Sequence, residues 1–209
     1  MISIFDFIVI KIIGRIEFSS IRYLFTGKSY SLTRKDINKV CKSLETNRCF
    51  GLLRRSNHFT TYLIGASHWF LTGKFGYWSH AWANVESDEA DGLDIDIIEA
   101  VGAGVIVSPF WDILNADAVC LLRPKNITEA EFDLIAKRIR EFIGKKYDTF
   151  FNIKNVDKLS CEELLYWGIM SVNSDALPGL NKLIAKHGNF TPDMIYSSGD
   201  FKILLEIRG

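Results

Sequence analysis

The chain has 209 residues, a formal net charge of zero and a hydrophobic fraction of 48%. This composition is typical of one packed globular domain and excludes a disordered protein. The balance of 25 basic and 25 acidic residues gives no overall field, so we expect no nucleic-acid partner. The four cysteines form no Cys-x-x-Cys pair, so neither a disulfide scaffold nor a zinc site is indicated, and no cofactor is expected.

The N-terminal stretch, residues 1–13, is mostly apolar but is interrupted by Asp6 and Lys11. It lacks the basic leader and cleavage site of a signal peptide, and it is shorter than the roughly 20 apolar residues of a membrane-spanning helix. Either it packs on the core or it makes a peripheral membrane contact. We expect a cytoplasmic protein with residues 1–48 as an N-terminal helical segment on the core; the oligomeric state stays open.

The next predicted elements are one helix and a group of strands. Thr33 and Asp36 mark a helix start, and apolar residues at helical spacing extend this helix to about Asn47. From 49 to 123, short β-branched and aromatic runs between turn residues predict strands joined by turns. The clearest are 78–85, 94–101, 104–108 and 118–123. Their close spacing favours an antiparallel meander.

The last third of the chain is predicted to be mainly helical. A capping box of Thr128 and Glu131 starts a helix that ends at Gly144, and a second box, Ser160 with Glu163, starts another. Further helices are expected over 180–186 and from 191, with a final strand over 201–207. This order of elements predicts an α+β domain over residues 49–209.

Cys161 is the first candidate for chemistry, because the second capping box places it at the first position of a helix. Unpaired backbone N–H groups and the helix dipole favour a thiolate there. The neighbouring carboxylates of Glu162 and Glu163 act in the opposite direction and raise the thiol pKa. A cysteine at a helix start is also compatible with a small core residue, so a nucleophile would need a histidine.

Of the four histidines, only His80 lies inside a convincing predicted strand. Period-two alternation puts it on one face with Trp78 and Trp82, where a general base would be held firmly and partly desolvated. A histidine merely packed among aromatic rings is the alternative.

Glu99 is the candidate for orienting the imidazole, because a carboxylate on an apolar strand face needs a partner. His80 is one such partner; an Arg or Lys, or water at a strand end, would also satisfy it.

Two arrangements that suggest metal binding do not fit. The acidic residues around Gly92 lack the first and last ligands of an EF-hand loop, and a solvated turn explains them better. The histidines have no His-Glu-x-x-His spacing and no Cys/His cluster, so no metal site is expected.

With His80, Glu99 and Cys161 in this order, the chain resembles the circularly permuted branch of the NlpC-type, papain-like amidases and peptidases, the YiiX-like and YaeF-like group. The matching stretches are Gly51-Leu52-Leu53, 76–80, Ile98-Glu99-Ala100, Gly104-Val105, Tyr147-Asp148, 160–164 and 191–194. Glu162 departs from this pattern, because the group usually has serine after the cysteine. The residues before about 45 have no counterpart.

The resemblance implies a papain-like α+β fold, a small antiparallel sheet or open barrel packed against helices. It also implies a Cys161–His80–Glu99 triad, with Tyr147 and Ser160 near the oxyanion or substrate. The expected reaction is cysteine-dependent hydrolysis of a peptide amide, including one in peptidoglycan, or of an acyl-lipid through a thioester acyl-enzyme. A cell-wall substrate would require another way out of the cell, such as phage lysis. An inactive fold that serves as a binding or structural protein is the alternative.

Overall fold

The computed structural model describes residues 32–55, 58–85, 95–110, 115–149, 151 and 153–209. The helices in these ranges are α1 (Arg34–Thr46), α2 (Phe59–Thr72), α3 (Glu129–Glu141), α4 (Cys161–Met170), α5 (Pro178–His187) and α6 (Pro192–Ser197). The strands are β1 (Cys49–Arg54), β2 (His80–Asn84), β3 (Asp96–Val101), β4 (Gly104–Pro109), β5 (Ala118–Pro124), β6 (Lys146–Tyr147), β7 (Lys158–Leu159) and β8 (Phe201–Arg208).

Six of these strands form an antiparallel sheet in the order β4-β3-β2-β1-β5-β8, and β6 and β7 form a separate parallel pair. The predicted α+β class with a small antiparallel sheet is confirmed, and the sheet is open. The expected meander holds for β2, β3 and β4, which are neighbours. β1 also pairs with β2, but the meander fails at β5, which pairs with β1 and β8 and not with β4.

Side chains from the two faces of the sheet enter two separate cores, because successive strand residues point to opposite sides. The α4 face contains Leu52, Ala81, Ile98 and Cys120, with Cys161 and Leu164 from α4 and Phe132 and Ile135 from α3. The α1 face contains Leu53, Trp82, Ile97 and Val119, with Val40 and Leu44 from α1. Helices therefore cover both faces of the sheet.

The close contact between Gly51 and Trp82 fixes the middle of the sheet. These residues are directly paired across β1 and β2. A Cβ atom on Gly51 would lie 2.0 Å from the Trp82 indole ring, and Trp82 is fully buried. Packing therefore requires glycine at position 51, in the first of the stretches that match the family. This glycine lies on β1, next to the strand that carries His80.

The prediction of strands alone between 49 and 123 is wrong at α2, a helix of 14 residues. Its residues are largely aromatic or β-branched, types that are enriched in strands. Apolar residues also occur all round this helix, so they leave no 3.6-residue period. Thr61 and His68 are buried, whereas Trp69 and Phe70 are 51% and 79% exposed.

The predicted face shared by Trp78, His80 and Trp82 is also corrected. β2 begins at His80, two residues later than expected, so Trp78 lies outside the strand alternation. Trp78 packs in the core of the α4 face, whereas Trp82 packs in that of the α1 face. His80 therefore does not lie between two aromatic rings.

Only part of the predicted N-terminal segment falls within the described residues. The predicted helix after Thr33 is present as α1, with both hydrogen bonds of the Thr33–Asp36 capping box, and Val40 and Leu44 are buried. The apolar stretch 1–13 and the acidic residues 88–94 lie outside the described ranges.

Candidate functional site

His80 and Glu99 form a direct pair at the start of β2. The Nε2 atom of His80 lies 2.7 Å from Oε2 of Glu99, and the two side chains are 16% and 8% exposed. The pairing of Trp82 with Glu99 between β2 and β3 sets this approach. Of the partners considered for Glu99, the structure places His80 in contact with it. Contact through Nε2 leaves Nδ1 as the imidazole nitrogen for a reacting group.

The electrostatics of Glu99 favour its ionised form. Burial alone would raise its pKa, but the hydrogen bond and charge of His80, together with Ser108 and Arg55, lower the pKa to about 2. Glu99 is therefore a carboxylate at neutral pH and can hold one orientation of the imidazole.

Cys161 occupies the first position of α4, with Ser160 as the preceding cap residue. The predicted helix start is confirmed: the Ser160 backbone N–H donates to Oε2 of Glu163 at 2.8 Å. Ser160 and Cys161 are 0% and 1% exposed. α4 packs across β2, which brings Cys161 into the core beside Ala81, the residue after His80.

The Cys161 thiol donates to Oε2 of Glu162 at 3.0 Å. Burial raises the pKa of this thiol well above its ordinary value, the Glu162 carboxylate raises it further, and backbone hydrogen bonding at Ala81 and Glu162 only partly opposes them. Within the described part of the chain, no hydrogen bond joins Cys161 to His80. The structure thus brings Cys161 close to the His80 strand but directs its proton towards Glu162.

Tyr147 reaches the same region through the short parallel pair of strands. It pairs with Leu159, two residues before Cys161. Burial raises the pKa of Tyr147 well above its ordinary value, and Cys161 and Glu162 would raise it further when they are ionised. The phenol is therefore neutral at physiological pH and keeps an O–H that can donate a hydrogen bond.

Three buried carboxyl groups surround this end of α4: those of Asp148, Glu162 and Glu163. Burial raises the pKa of Glu163 to about 7, the backbone of Ser160 lowers it, and the charges of Glu162 and Asp148 raise it. Burial also raises the pKa of Glu162, while the Cys161 thiol and the charge of His80 lower it. Glu162 consequently interacts with both members of the proposed Cys–His pair.

Asp193 is a supporting residue whose role was not predicted from the sequence, although it lies in a stretch that carries the resemblance. Its carboxylate accepts from the backbone N–H groups of Tyr77 and Trp78 at 2.8 and 3.0 Å. His68 Nδ1 contacts the Thr191 hydroxyl at 2.7 Å, which ties α2 to the residue before α6. These contacts hold the segment that leads into His80. Local sequence patterns could not have predicted these contacts, because they join residues far apart in the chain.

Comparison with known proteins gives one informative likeness. No protein-family model matches the chain, and no curated protein matches it. Among solved structures, it is similar to YiiX of Escherichia coli O157:H7, with 15% identity and a TM-score of 0.59. The similarity covers 78% of this chain and 98% of the YiiX chain. The chain therefore has the YiiX-like α+β fold that the sequence resemblance implied.

The YiiX structure is described as that of a metalloprotein. In the part of this chain that the structure describes, no group of three or more His, Cys, Asp or Glu side chains is arranged to hold a metal ion. His80 and Glu99 are bonded to each other, and the Cys161 thiol is bonded to Glu162. The described residues thus do not fit a metal centre.

Proposed function

We propose that the chain is a cysteine hydrolase in which Cys161 is the nucleophile, His80 the general base and Glu99 the residue that positions His80. The observation that carries the proposal is the part-buried His80–Glu99 pair, at 2.7 Å, on the strand against which the Cys161 helix packs. The YiiX-like fold and the permuted order of these residues support it. The charge of His80 also acts on Glu162, the residue after Cys161, which supports a place for the imidazole near this helix start.

In the proposed reaction, His80 accepts the thiol proton and the thiolate attacks an amide or ester carbonyl. The amine or alcohol leaves with a proton from His80, which gives a thioester on Cys161, and water then hydrolyses that thioester. We assign backbone N–H groups at the start of α4 and the neutral Tyr147 phenol as donors to the developing oxyanion. The substrate class we propose is a peptide amide, including one in peptidoglycan, or an acyl-lipid.

The contact from Cys161 to Glu162 adds a requirement to this mechanism. The thiol proton points to Glu162, 3.0 Å away, so the Cys161 side chain must turn towards His80 before the proton can transfer. Glu162 stands where the related pattern usually has serine, so this requirement belongs to the present chain.

The rate at which iodoacetamide labels each cysteine as a function of pH tests the proposal, and the chain supplies matched controls. Cys49 and Cys120 are fully buried, and burial raises the pKa of each thiol to about 12. We expect Cys161 to label faster than both and to lose that advantage in His80→Ala. Equal rates for all three cysteines would rule out an activated Cys161.

One observation favours a second candidate, a non-catalytic binding protein with the same fold. Cys161 is 1% exposed, and its thiol is bonded to a carboxylate that disfavours ionisation. In that case Cys161 labels as slowly as Cys120 in the native chain. Labelling would also be unchanged by His80→Ala.

A further inference from the structure

The exposed face of α2 carries large apolar side chains that the other described residues do not cover. The α2 patch consists of Tyr62, Leu63, Trp69 and Phe70, together with Phe75 just beyond the helix; their exposures are 42%, 40%, 51%, 79% and 54%. The Trp69 and Phe70 rings contact each other edge to face, with centroids 5.0 Å apart. Contiguous exposed apolar surface of this kind marks an interaction site.

The protein holds this face outward. On the buried side of α2, the Thr61 hydroxyl donates to the Arg55 carbonyl at 2.6 Å, and His68 contacts Thr191 at 2.7 Å. The Gly76 backbone N–H donates to the Gly65 carbonyl at 3.0 Å, which fastens the segment after the helix. The helix cannot rotate the patch into the core without breaking these hydrogen bonds.

The charge around the patch indicates what would cover it. From residue 46 to residue 85 the sequence contains no Asp or Glu. Arg48 in this stretch is paired with Glu129 and Asp133, and the Arg54 guanidinium lies over the Tyr77 ring, whereas Lys74 adjoins Phe75 of the patch. α2 itself has no charged residue. Lys74 is exposed and lies between the helix and Phe75. A cation beside exposed aromatic rings complements an anionic surface that has an apolar layer beneath it.

The side chains and the length of α2 fit the same surface. Trp and Tyr are enriched where a bilayer meets water, because their rings are apolar and their N–H and O–H groups remain hydrated. A helix of 14 residues is about 21 Å long, too short to span the hydrocarbon layer. None of the described helices is long and apolar enough to cross a membrane. Any membrane contact of the patch would therefore be at the surface of the bilayer.

We propose that the α2 patch docks the protein on the surface of a bilayer that contains anionic phospholipid. Phe70 and Trp69 enter the interface between headgroups and acyl chains, and Lys74 lies against the lipid phosphates. Docking needs neither Cys161 nor His80 and is independent of the proposed hydrolysis. It would place the segment that leads to His80 next to the lipid, because Phe75 and Tyr77 belong to that segment.

Sedimentation of the full chain with vesicles tests docking. We expect binding to mixed phosphatidylcholine and phosphatidylglycerol vesicles, and weaker binding to phosphatidylcholine alone. Phe70→Ser should weaken binding by about tenfold or more, since burial of a Phe side chain contributes about 1.5–3 kcal/mol. Lys74→Glu should weaken only the preference for the anionic vesicles. Cys161→Ser should bind as the native chain does, which separates this proposal from the proposed hydrolysis.

Leu134→Ser is the matched control, because Leu134 is 55% exposed on a different helix, α3. It should leave binding unchanged. The proposal is overturned if the native chain binds neither kind of vesicle, or if Phe70→Ser binds as tightly as the native chain. It is also overturned if sedimentation velocity shows a dimer that Phe70→Ser dissociates, because a second copy of the chain would then cover the patch.

Discussion

Replacement of Glu99 by glutamine should destabilise the protein in a way that depends on pH. The carboxyl has a pKa of about 2 in the folded protein and an ordinary value of 4.5. The difference, 4.5 minus 2, is about 2.5 units, and each unit corresponds to about 1.4 kcal/mol, so the ionised form contributes roughly 3 kcal/mol. Because the folded-state pKa is the lower one, this contribution is complete above pH 4.5 and disappears as the pH falls through about 2.

Glutamine keeps the shape of the side chain but cannot ionise. Glu99→Gln should therefore lower the free energy of unfolding by roughly 3 kcal/mol at about pH 7, and by about half as much at about pH 3. Urea unfolding followed by tryptophan fluorescence over this pH range measures the difference between the two proteins. A difference that stays constant with pH would refute the assignment of the stabilising charge to Glu99.

Glu163→Gln is a matched control with the opposite sign. Burial first, and then the neighbouring carboxylates, raise the pKa of Glu163 from 4.5 to about 7. Its ionisation therefore costs stability as the pH rises from 4.5 through about 7. The glutamine variant should match the native chain at acid pH and exceed its stability at alkaline pH. Equal pH slopes for the two variants would show that neither pKa shift is specific to its site.

At Cys161, Glu162→Gln removes the negative charge 3.0 Å from the sulfur and should accelerate iodoacetamide labelling of Cys161 by about tenfold or more at neutral pH; an unchanged rate contradicts that contact. Gly51→Ala forces a Cβ against the Trp82 ring and should cost about 1–3 kcal/mol, measured by urea unfolding. The Asp200 carboxylate accepts from the first two backbone N–H groups of α5, at 3.0 and 2.7 Å. Asp200→Ala should therefore lower the free energy of unfolding, measured in the same way, by about 1–2 kcal/mol, and Asp200→Asn should recover much of this loss.

The parts of the fold that the sequence predicted well are those with local signals. The boxes at Thr33 and Thr128 each join residues three positions apart, and both are present at the starts of α1 and α3. α2 was missed because its aromatic and β-branched residues suggest a strand. The position of β1 between β2 and β5 could not be predicted, because pairing over that distance leaves no periodic signal.

The contacts of the candidate site also fall into those that the sequence predicted and those that it could not predict. The contact of Glu99 with His80 was one of the expected alternatives, because a buried carboxylate needs a partner and the strands were expected to lie close together. The parallel pairing that carries Tyr147 to Cys161, and the Asp193 contact with the backbone before His80, join residues far apart in sequence. Their positions depend on tertiary packing, which local patterns do not report.

Glu162 interacts with both the Cys161 thiol and the His80 imidazole of the candidate site. The helix start favours a thiolate on Cys161, whereas burial and the Glu162 carboxylate oppose it, and the balance raises the pKa of the thiol. The charge of His80 in turn lowers the pKa of Glu162. Glu162 therefore couples the thiol to the imidazole although the two share no hydrogen bond. A substrate that displaced the Glu162 carboxylate from the sulfur would remove the main nearby charge that opposes ionisation of Cys161.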